Sequence, residues 1–416
     1  MNEHVKEIAN KLQQEYGLEQ YVLKREHIFS ETTQENQTNY ILSLEWFPVH
    51  QSEENEEYNP EGTAVLEVNL HTNELKQLIF VNDVSYATEG IFPPPEIESV
   101  IEWVEEKTGM MFGRQFKLDY EDGTAFSFQA TVDNIAVAPS GNIDITFNEN
   151  NQLTQFSIDG VFPSEEDIDW EPFSLMKEDL MENIKQQLKL IETPIEEEEK
   201  WLKVWTMDTI FIRNDKSNII LPASLYQIDT YKELNVLLEW ASTSQRDFTP
   251  QEIDFSTEIS YEDAMAKVRV NPLTDDEIQS TMEETKDFLS NLYPDDSGKW
   301  TLTGMYPEGN YIITELKMAA STPLDRKLKV IISRDSLQTA NYWDSKLLFE
   351  VFESYAKAED VTISRDEAFD KIIKHVELTP VYVKDPNSDS YHLCGKLDCE
   401  VVVIGTTGEE VPIFQF

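Results

Sequence analysis

Basic residues are scarce in this sequence. The chain has 33 Lys and Arg against 80 Asp and Glu over 416 residues, which gives a formal net charge of −47. Binding to nucleic acid depends on basic side chains that release counterions from the phosphate backbone. The composition therefore excludes a nucleic-acid-binding protein, and no nucleic-acid partner is expected.

Cysteine and long apolar runs are also nearly absent. Two cysteines cannot build a disulfide framework, which agrees with a reducing compartment. No stretch approaches the roughly 18 consecutive apolar residues of a membrane span. The residues that follow Met1 lack the basic and apolar regions of a signal peptide. We therefore expect a cytoplasmic protein with no membrane association.

Recognisable catalytic and nucleotide-binding motifs are missing. With 14 glycines, the chain contains no serine-hydrolase elbow, phosphate loop or dinucleotide fingerprint, and it has no zinc-protease His pair. We therefore predict no catalytic, cofactor-binding or metal-binding residues and no cofactor, and we favour a non-enzymatic protein. A hydrolase that uses dispersed carboxylates or a bound metal stays open as the alternative, because 80 acids guarantee many chance carboxylate pairs.

Apolar side chains, by contrast, are plentiful. The composition is 40% hydrophobic and 11% aromatic, which is enough to build packed cores instead of a disordered, charge-rich chain. At roughly 100 to 200 residues per domain, the length indicates two to four folded units.

The order of the sequence patterns predicts an α+β protein. Val5, Ile8 and Leu12 recur at helical spacing, and several alternating, strand-like runs follow them. The same order, one helix and then a group of strands, returns after residues 93–95 and again after 274–277. Gly109 is placed to end the second of these helices, and Thr274 with Glu277 and Ser364 with Glu367 form capping-box patterns at two later helix starts. Apolar and polar residues alternate over 142–147, which predicts a strand. Because the strands come in hairpin-linked groups and the helices come singly, we predict modules of helices packed on antiparallel β-sheets.

Two further patterns lie between these groups. The four-residue spacing of Met176, Leu180, Ile184 and Leu188 predicts a helix that includes Leu188. Long strands are predicted after it, at 201–212 and 219–228.

Four segments are predicted along the chain. They are an N-terminal helix-plus-sheet module at 1–92, a first repeat at 93–240, a connector at 241–273 and a second repeat at 274–416. Shifting the sequence by roughly 180 residues superimposes the order of elements in 93–230 on that in 274–416, which predicts an internal duplication.

The segment 126–148 resembles the core of the YcdB/YcdC repeated domain. In that family pattern, a strand, a short V-N-G-I-P turn and a second strand lead into a V-D-x-x-T-G hairpin. Residues 132–136 stand at the first turn, and 148–151 replace the Thr-Gly turn. Two later segments, 378–382 and 393–409, are similar to the same pattern.

The resemblance implies both a fold and a class of function. YcdB/YcdC repeats are related to PepSY domains, which are helix-on-sheet modules, and the first 92 residues are similar to one more divergent module of this kind. The family supplies no catalytic residues. The resemblance therefore implies a binding or inhibitory scaffold, which would hold another protein through open sheet edges or an aromatic face.

His392, Cys394 and Cys399 form the tightest group of soft metal ligands in the sequence. Two thiolates and an imidazole suit Zn²⁺, but a fourth ligand is missing and the cysteines are spaced too widely for a zinc knuckle. A cysteine nucleophile paired with a distant histidine is a further possibility. The favoured interpretation is a hairpin whose cysteines are buried as small hydrophobes or oxidised.

Asp385, Asn387 and Asp389 match the first acidic positions of a calcium loop. The match fails further on, because Ser390 replaces the required glycine and Lys396 replaces the bidentate glutamate. A polar hairpin tip is the favoured interpretation.

Aromatic and acidic residues supply the remaining hypotheses. Five tryptophans lie mostly on predicted strands: Trp201, Trp205, Trp240, Trp300 and Trp343. Each would either pack half-buried against the protein or belong to a face that binds a partner. The acidic run 196–199 is interpreted as a solvated loop or helix end. The excess of acids would attract cationic partners, either basic protein segments or divalent ions, but acids that only keep the protein soluble are the favoured interpretation. The sequence does not predict an oligomeric state.

Overall fold

A computed structural model describes most of the chain. It covers residues 2–32, 38–50, 58–222, 225, 230–242, 246–255, 257–267, 272–318, 326–352, 354–385, 388 and 390–415.

Helices and strands alternate in groups along the chain. The helices are α1 (Glu3–Glu15), α2 (Ile97–Thr108), α3 (Met181–Gln187), α4 (Tyr261–Met265), α5 (Asp275–Leu292), α6 (Lys346–Phe352) and α7 (Arg365–Ile372). The strands are β1 (Tyr21–Thr32), β2 (Thr38–Pro48), β3 (Ala64–Asn69), β4 (Leu75–Phe80), β5 (Phe116–Glu121), β6 (Ala125–Val132), β7 (Ile135–Ala138), β8 (Asn142–Phe147), β9 (Leu153–Asp159), β10 (Ile168–Asp169), β11 (Leu188–Ile195), β12 (Lys200–Met207), β13 (Ile210–Arg213), β14 (Ile219–Ile220), β15 (Lys232–Leu237), β16 (Thr257–Glu258), β17 (Trp300–Glu308), β18 (Tyr311–Met318), β19 (Arg326–Ser333), β20 (Thr339–Asp344), β21 (Glu377–Lys384), β22 (Tyr391–Asp398), β23 (Val401–Ile404) and β24 (Glu410–Pro412).

The predicted α+β class is confirmed, since single helices separate groups of mostly antiparallel strands. Two short parallel pairs, β7 with β21 and β10 with β22, are exceptions to the predicted antiparallel pairing. Within the described residues, no helix combines the length and apolar character needed to cross a membrane.

The chain divides into two compact units. The first contains Met1–Glu171, Ser256–Arg269 and Val381–Leu393, and the second contains Pro172–Phe255, Val270–Pro380 and Cys394–Phe416. Part of the predicted 241–273 connector, β16 with α4, therefore belongs to the first unit.

The first unit is built on a long antiparallel sheet. Its strands follow the order β16-β1-β2-β3-β4-β9-β8-β6, and β5 also pairs with β6. Helices α1 and α2 pack on this sheet, where Val5 and Leu12 of α1 and Trp103 of α2 join one core with strand residues such as Leu66 and Phe126.

Local signals in the sequence set the ends of the first-unit helices. The Asn2 side chain accepts a hydrogen bond from the backbone N–H of His4, and this bond caps the start of α1. Gly109 ends α2 with a φ of 72°, a conformation that glycine adopts without steric cost, as the sequence pattern predicts.

The second unit contains two further antiparallel sheets. The sheet β15-β17-β18-β19-β20 packs on α5, with Phe288 and Leu289 of the helix against Leu302 and Val330 of the strands. The sheet β11-β12-β23-β24 shares a core with α3 and α7. Both sequence-predicted capping boxes, Thr274 with Glu277 and Ser364 with Glu367, are present at the starts of α5 and α7.

Three helices are each followed by four strands that pair in chain order. After α1 come β1, β2, β3 and β4, and after α5 come β17, β18, β19 and β20. After α2 the corresponding strands are β5, β6, β8 and β9, with β7 inserted between the second and the third.

The second half of the predicted first repeat differs from the sequence prediction. Helix α3 ends at Gln187, so Leu188 begins strand β11 instead of ending the predicted helix. The single strand predicted at 201–212 is two strands, β12 and β13. Of the strand predicted at 219–228, β14 covers Ile219–Ile220, while 223–224 and 226–229 lie outside the described residues.

Candidate functional site

Strand β11 lies at the end of the sheet β11-β12-β23-β24. It pairs with β12 from Leu188, opposite Met207, to Ile195, opposite Lys200. Over the described residues, no strand pairs with its other side. This unpaired side, called the β11 edge below, is a template on which an extended chain can add as a further strand.

Contacts of β12 reveal which backbone groups face the β11 edge. In an antiparallel pair, successive residues direct their N–H and C=O groups alternately toward the partner strand and away from it. Trp201 N–H donates to Ala356 O at 2.8 Å, and Lys203 O accepts from Gly405 N–H at 2.8 Å. Trp201 and Lys203 of β12 therefore direct their backbone groups away from β11.

The register extends this alternation to β11 itself. Pro194 lies opposite Trp201 and Glu192 lies opposite Lys203, so both direct their backbone groups away from β12. Leu190 and Leu188, two and four residues before Glu192, also direct their backbone groups away from β12. Leu188 O confirms the pattern, because it accepts a hydrogen bond from Arg365 Nη2 at 3.1 Å.

An added strand would therefore meet a short, defined set of groups. Arg365 occupies the carbonyl of Leu188, and Pro194 has no N–H to offer. The N–H and C=O groups of Leu190 and Glu192, together with the carbonyl of Pro194, remain directed outward.

The β11 edge carries one exposed aliphatic side chain on each face. Leu190 is 40% exposed and Ile191 is 37% exposed. Because successive side chains of a strand point to opposite faces, these two residues would contact alternate side chains of an added strand. Leu190 lies opposite Trp205, whose indole Nε1 donates to Ile363 O at 3.1 Å.

The remainder of β11 is fixed to the protein. Leu188 is buried in a core with Met207, Val403 and Ile372. A salt bridge joins Lys203 to Glu192 across the strand pair at 3.7 Å. The edge is thus presented on an ordered strand, which lowers the entropic cost of adding a partner.

Acidic residues lie at the end of β11. A short turn, Glu196–Glu198, and then Glu199 connect β11 to β12, and all four carboxylates are exposed, as expected for a solvated loop. Lys200 pairs with Glu198 at 2.5 Å. Desolvation raises the pKa of the nearby Tyr355 phenol, and the charges of Glu196 and Glu199 raise it further. One end of the β11 edge therefore carries a negative electrostatic potential.

The sequence-predicted soft ligands have other partners. Both ring nitrogens of His392 face carboxylates, with Nδ1 at 2.9 Å from Asp169 and Nε2 at 3.2 Å from Asp385. Cys394 and Cys399 are buried, and neither forms a disulfide. In the described part of the chain, no three His, Cys, Asp or Glu residues are arranged to hold a metal ion.

The Cys399 thiol is poorly suited to nucleophilic attack. Its Sγ donates to Val401 O at 3.3 Å, and burial raises the pKa of the thiol. Because the thiolate is the reactive species, this environment suppresses reactivity.

Two described residues of the calcium-like pattern, Asp385 and Ser390, lie close together. Asp385 N–H donates to Ser390 O at 2.9 Å, and the Asp385 carboxylate is paired with His392. Asn387 and Asp389 lie outside the described residues.

The five tryptophans do not form one binding face. Trp201 is 5% exposed and Trp300 is fully buried, so the interpretation of these two as partner-binding residues is wrong. The indole of Trp240 donates to Pro294 O at 3.1 Å. Trp343, at 48%, is the exposed member of the set.

Leu190, Ile191 and Glu192 were not recognised from the sequence as site residues. The helical spacing that ends at Leu188 masks the strand that begins there. A usable signal is the run of two adjacent aliphatic residues followed by Thr193 and Pro194, which disfavours a continuing helix.

A scan against protein-family models, a search of curated proteins and a search of solved structures each found no match to this chain.

Proposed function

We propose that this chain is a non-enzymatic scaffold that binds an extended segment of another protein along the β11 edge. The observation that carries this proposal is the set of outward-directed backbone groups at Leu190 and Glu192, on a strand anchored to its own core. Strand addition supplies the affinity through main-chain hydrogen bonds and the specificity through side-chain contacts.

The geometry of the β11 edge limits the length of the added strand. Arg365 closes the edge at Leu188, and Pro194 removes an N–H donor near the other end. The bound segment therefore pairs along Leu190–Pro194, with its side chains on Leu190 and Ile191. So short a pairing gives an affinity in the range of roughly 1 to 100 μM.

Charge determines which segment fits the β11 edge best. The turn at 196–199 places four carboxylates beside one end, and the whole chain carries −47. The segment that fits best has apolar side chains at alternate positions and a Lys or Arg at the end next to this turn, where it is complementary to the carboxylates. A second copy of this chain is a poor occupant, because its net charge has the same sign.

The fold and the family resemblance support a scaffold of YcdB/YcdC and PepSY-like type. We propose that the three groups of one helix and four paired strands are divergent copies of one module. Their common strand order and the turn residues at 132–136 support this relation.

Selection of peptides tests the proposed function. A phage-displayed random peptide library is panned on the full chain, and one enriched peptide is synthesised for titration calorimetry. Enrichment of sequences that have apolar residues at alternate positions and a terminal Lys or Arg supports the proposal. Failure to enrich any sequence over a blank surface contradicts it.

Two substitutions at one position separate the backbone and side-chain contributions. Leu190→Ala keeps the outward N–H, and we expect it to weaken the peptide about threefold to tenfold through lost apolar contact. Leu190→Pro also removes the N–H, so it should weaken binding roughly tenfold more than the alanine variant. Met111→Ala, at an exposed position in the first unit, is the control and should bind like wild type. Equal affinities for Leu190→Pro and wild type would rule out this edge.

A further inference from the structure

A cleft of about 420 Å³ lies in the first unit, whereas the β11 edge belongs to the second. Its walls are the segment that follows β4, residues 85–93, and the turn between β8 and β9, residues 150–153. The volume falls in the range of about 300 to 1,000 Å³ that small-molecule pockets occupy.

The first wall is held in place by hydrogen bonds to its neighbours. Tyr86 N–H donates to the Tyr21 hydroxyl at 2.8 Å. Thr88 N–H donates to Gly17 O at 2.9 Å, and the Thr88 hydroxyl donates to the Glu19 carboxylate at 2.6 Å. This wall is therefore ordered without a ligand.

The second wall is tied to the first. Asn148 Nδ2 donates to Asp83 O at 2.8 Å, and Asn148 Oδ1 accepts from the backbone N–H groups of Asn150 and Gln152 at 2.9 and 3.0 Å. The width of the cleft is therefore fixed by the fold, and a ligand would find it preformed.

The base of the cleft is apolar. Phe92 is partly buried and packs edge-on against Phe80, with ring centroids 5.9 Å apart, while Leu153 is buried. Trp103 and Tyr16 also contact Phe92, with ring centroids 6.2 and 6.3 Å from that of Phe92, so the ring is held in place. A fixed aromatic ring of this kind contacts apolar C–H faces of a ligand.

The charge of the lining differs from that of the chain. Of the 11 described residues that line the cleft, Glu89 alone is charged, whereas 27% of the whole chain is charged. The lining has no Lys, Arg or His to hold an anion. A single carboxylate also supplies little negative charge for Ca²⁺, whose sites combine several carboxylates with other oxygen ligands.

The polar groups of the lining suit hydroxyls. The exposed side chains of Asn150 and Asn151 each offer donors and an acceptor, and a hydroxyl group is itself both a donor and an acceptor. We infer that this cleft binds a neutral, polyhydroxylated small molecule of monosaccharide to disaccharide size. Amide groups bond its hydroxyls, and its C–H face lies on Phe92.

Saturation-transfer NMR on the full chain tests this inference, with glucose, maltose and cellobiose as neutral probes and glucuronate as the anionic probe. We expect saturation transfer to at least one neutral sugar, with a Kd of roughly 0.1 to 10 mM, and weaker transfer to glucuronate. No transfer to any of the three neutral sugars, or stronger transfer to glucuronate, would overturn the inference.

Variants at Asn150 locate the binding. Asn150→Trp fills the cleft from an exposed turn position and should abolish the signal, while Asn150→Ala should weaken binding about threefold to tenfold through one lost hydrogen bond. Asn142→Ala, an exposed asparagine on β8 outside the cleft, is the matched control and should leave binding unchanged. A signal unaffected by both Asn150 variants would show that the sugar binds elsewhere.

Discussion

At the scale of single residues, the second unit buries an ion pair within an aromatic cluster. Arg326 bonds Asp344 through two nitrogens, and the two side chains are 11% and 9% exposed. The guanidinium also lies over the rings of Tyr293 and Trp300, 4.6 and 5.1 Å from their centroids. Burial by itself raises the pKa of Asp344, but hydrogen bonds from Arg326 and Tyr293 outweigh it and lower the pKa.

Asp344→Asn should strongly destabilise the protein. The substitution leaves the Arg326 charge buried without its counter-ion, which costs about 3 kcal/mol or more in the free energy of unfolding. Urea denaturation followed by tryptophan fluorescence measures the loss. The control is Glu350→Gln in the exposed Lys346–Glu350 pair, which should change stability by less than about 0.5 kcal/mol. Equal losses of stability in the two variants would mean that the buried pair stabilises the protein no more than the exposed pair does.

Two glutamates should couple stability to acid. Hydrogen bonds from Arg334 lower the pKa of Glu277 to about 2, and hydrogen bonds from Lys374 and His375 lower that of Glu410 to about 2. Each carboxylate therefore binds a proton more weakly in the folded state than in the unfolded chain, where its pKa is the ordinary 4.5. The stability that each supplies is therefore present above about pH 4.5 and is lost as the pH falls toward 2.

Denaturation at a series of pH values measures this coupling. Glu277→Gln and Glu410→Gln should each flatten the fall in stability between about pH 4.5 and 2. Glu283→Gln, at an exposed position of α5, is the matched control. An acid dependence that the first two substitutions leave unchanged would contradict the assignment.

At the scale of secondary-structure elements, strand β11 has two chemically different sides. Residues such as Leu190 direct their N–H groups to the open edge, whereas Ile191 directs its N–H group to β12. Proline is tolerated in a strand only where no ladder hydrogen bond is lost.

Proline substitutions should therefore affect stability differently at adjacent positions. Ile191→Pro removes a hydrogen bond to β12 and should lower the free energy of unfolding by about 1 to 3 kcal/mol. Leu190→Pro removes an outward N–H and should cost clearly less. Thermal unfolding of both variants measures the difference. A larger loss for Leu190→Pro would show that the alternation along β11 is reversed.

The sequence was sufficient to predict most elements but not β11. Capping boxes, the Gly109 helix end and alternating strands such as 142–147 are local signals, so the patterns located them correctly. The end of α3 is different, because helical spacing through Leu188 continues into a residue whose partners in β12 and α7 are distant in sequence. The candidate site lies on this strand, and tertiary pairing alone distinguishes its open edge from its paired edge.

At the scale of the whole molecule, the charge of −47 works against the folded state. Like charges repel more strongly across a compact protein than across an expanded chain. Salt screens this repulsion over a Debye length of about 8 Å at physiological ionic strength.

Stability should therefore rise with salt concentration. We expect the melting temperature to increase between low salt and about 0.2 M sodium chloride, because screening weakens the net repulsion. Differential scanning calorimetry in a chloride series measures the trend. A flat or falling melting temperature would mean that local ion pairs outweigh the net charge.

The most direct test of strand addition is amide hydrogen exchange at the β11 edge. In the free protein, the N–H groups of Leu190 and Glu192 should exchange rapidly, while that of Ile191 is protected by its bond to β12. Addition of the selected peptide should protect Leu190 and Glu192 and leave Ile191 unchanged. A peptide that binds without protecting these two amides would contradict strand addition on β11.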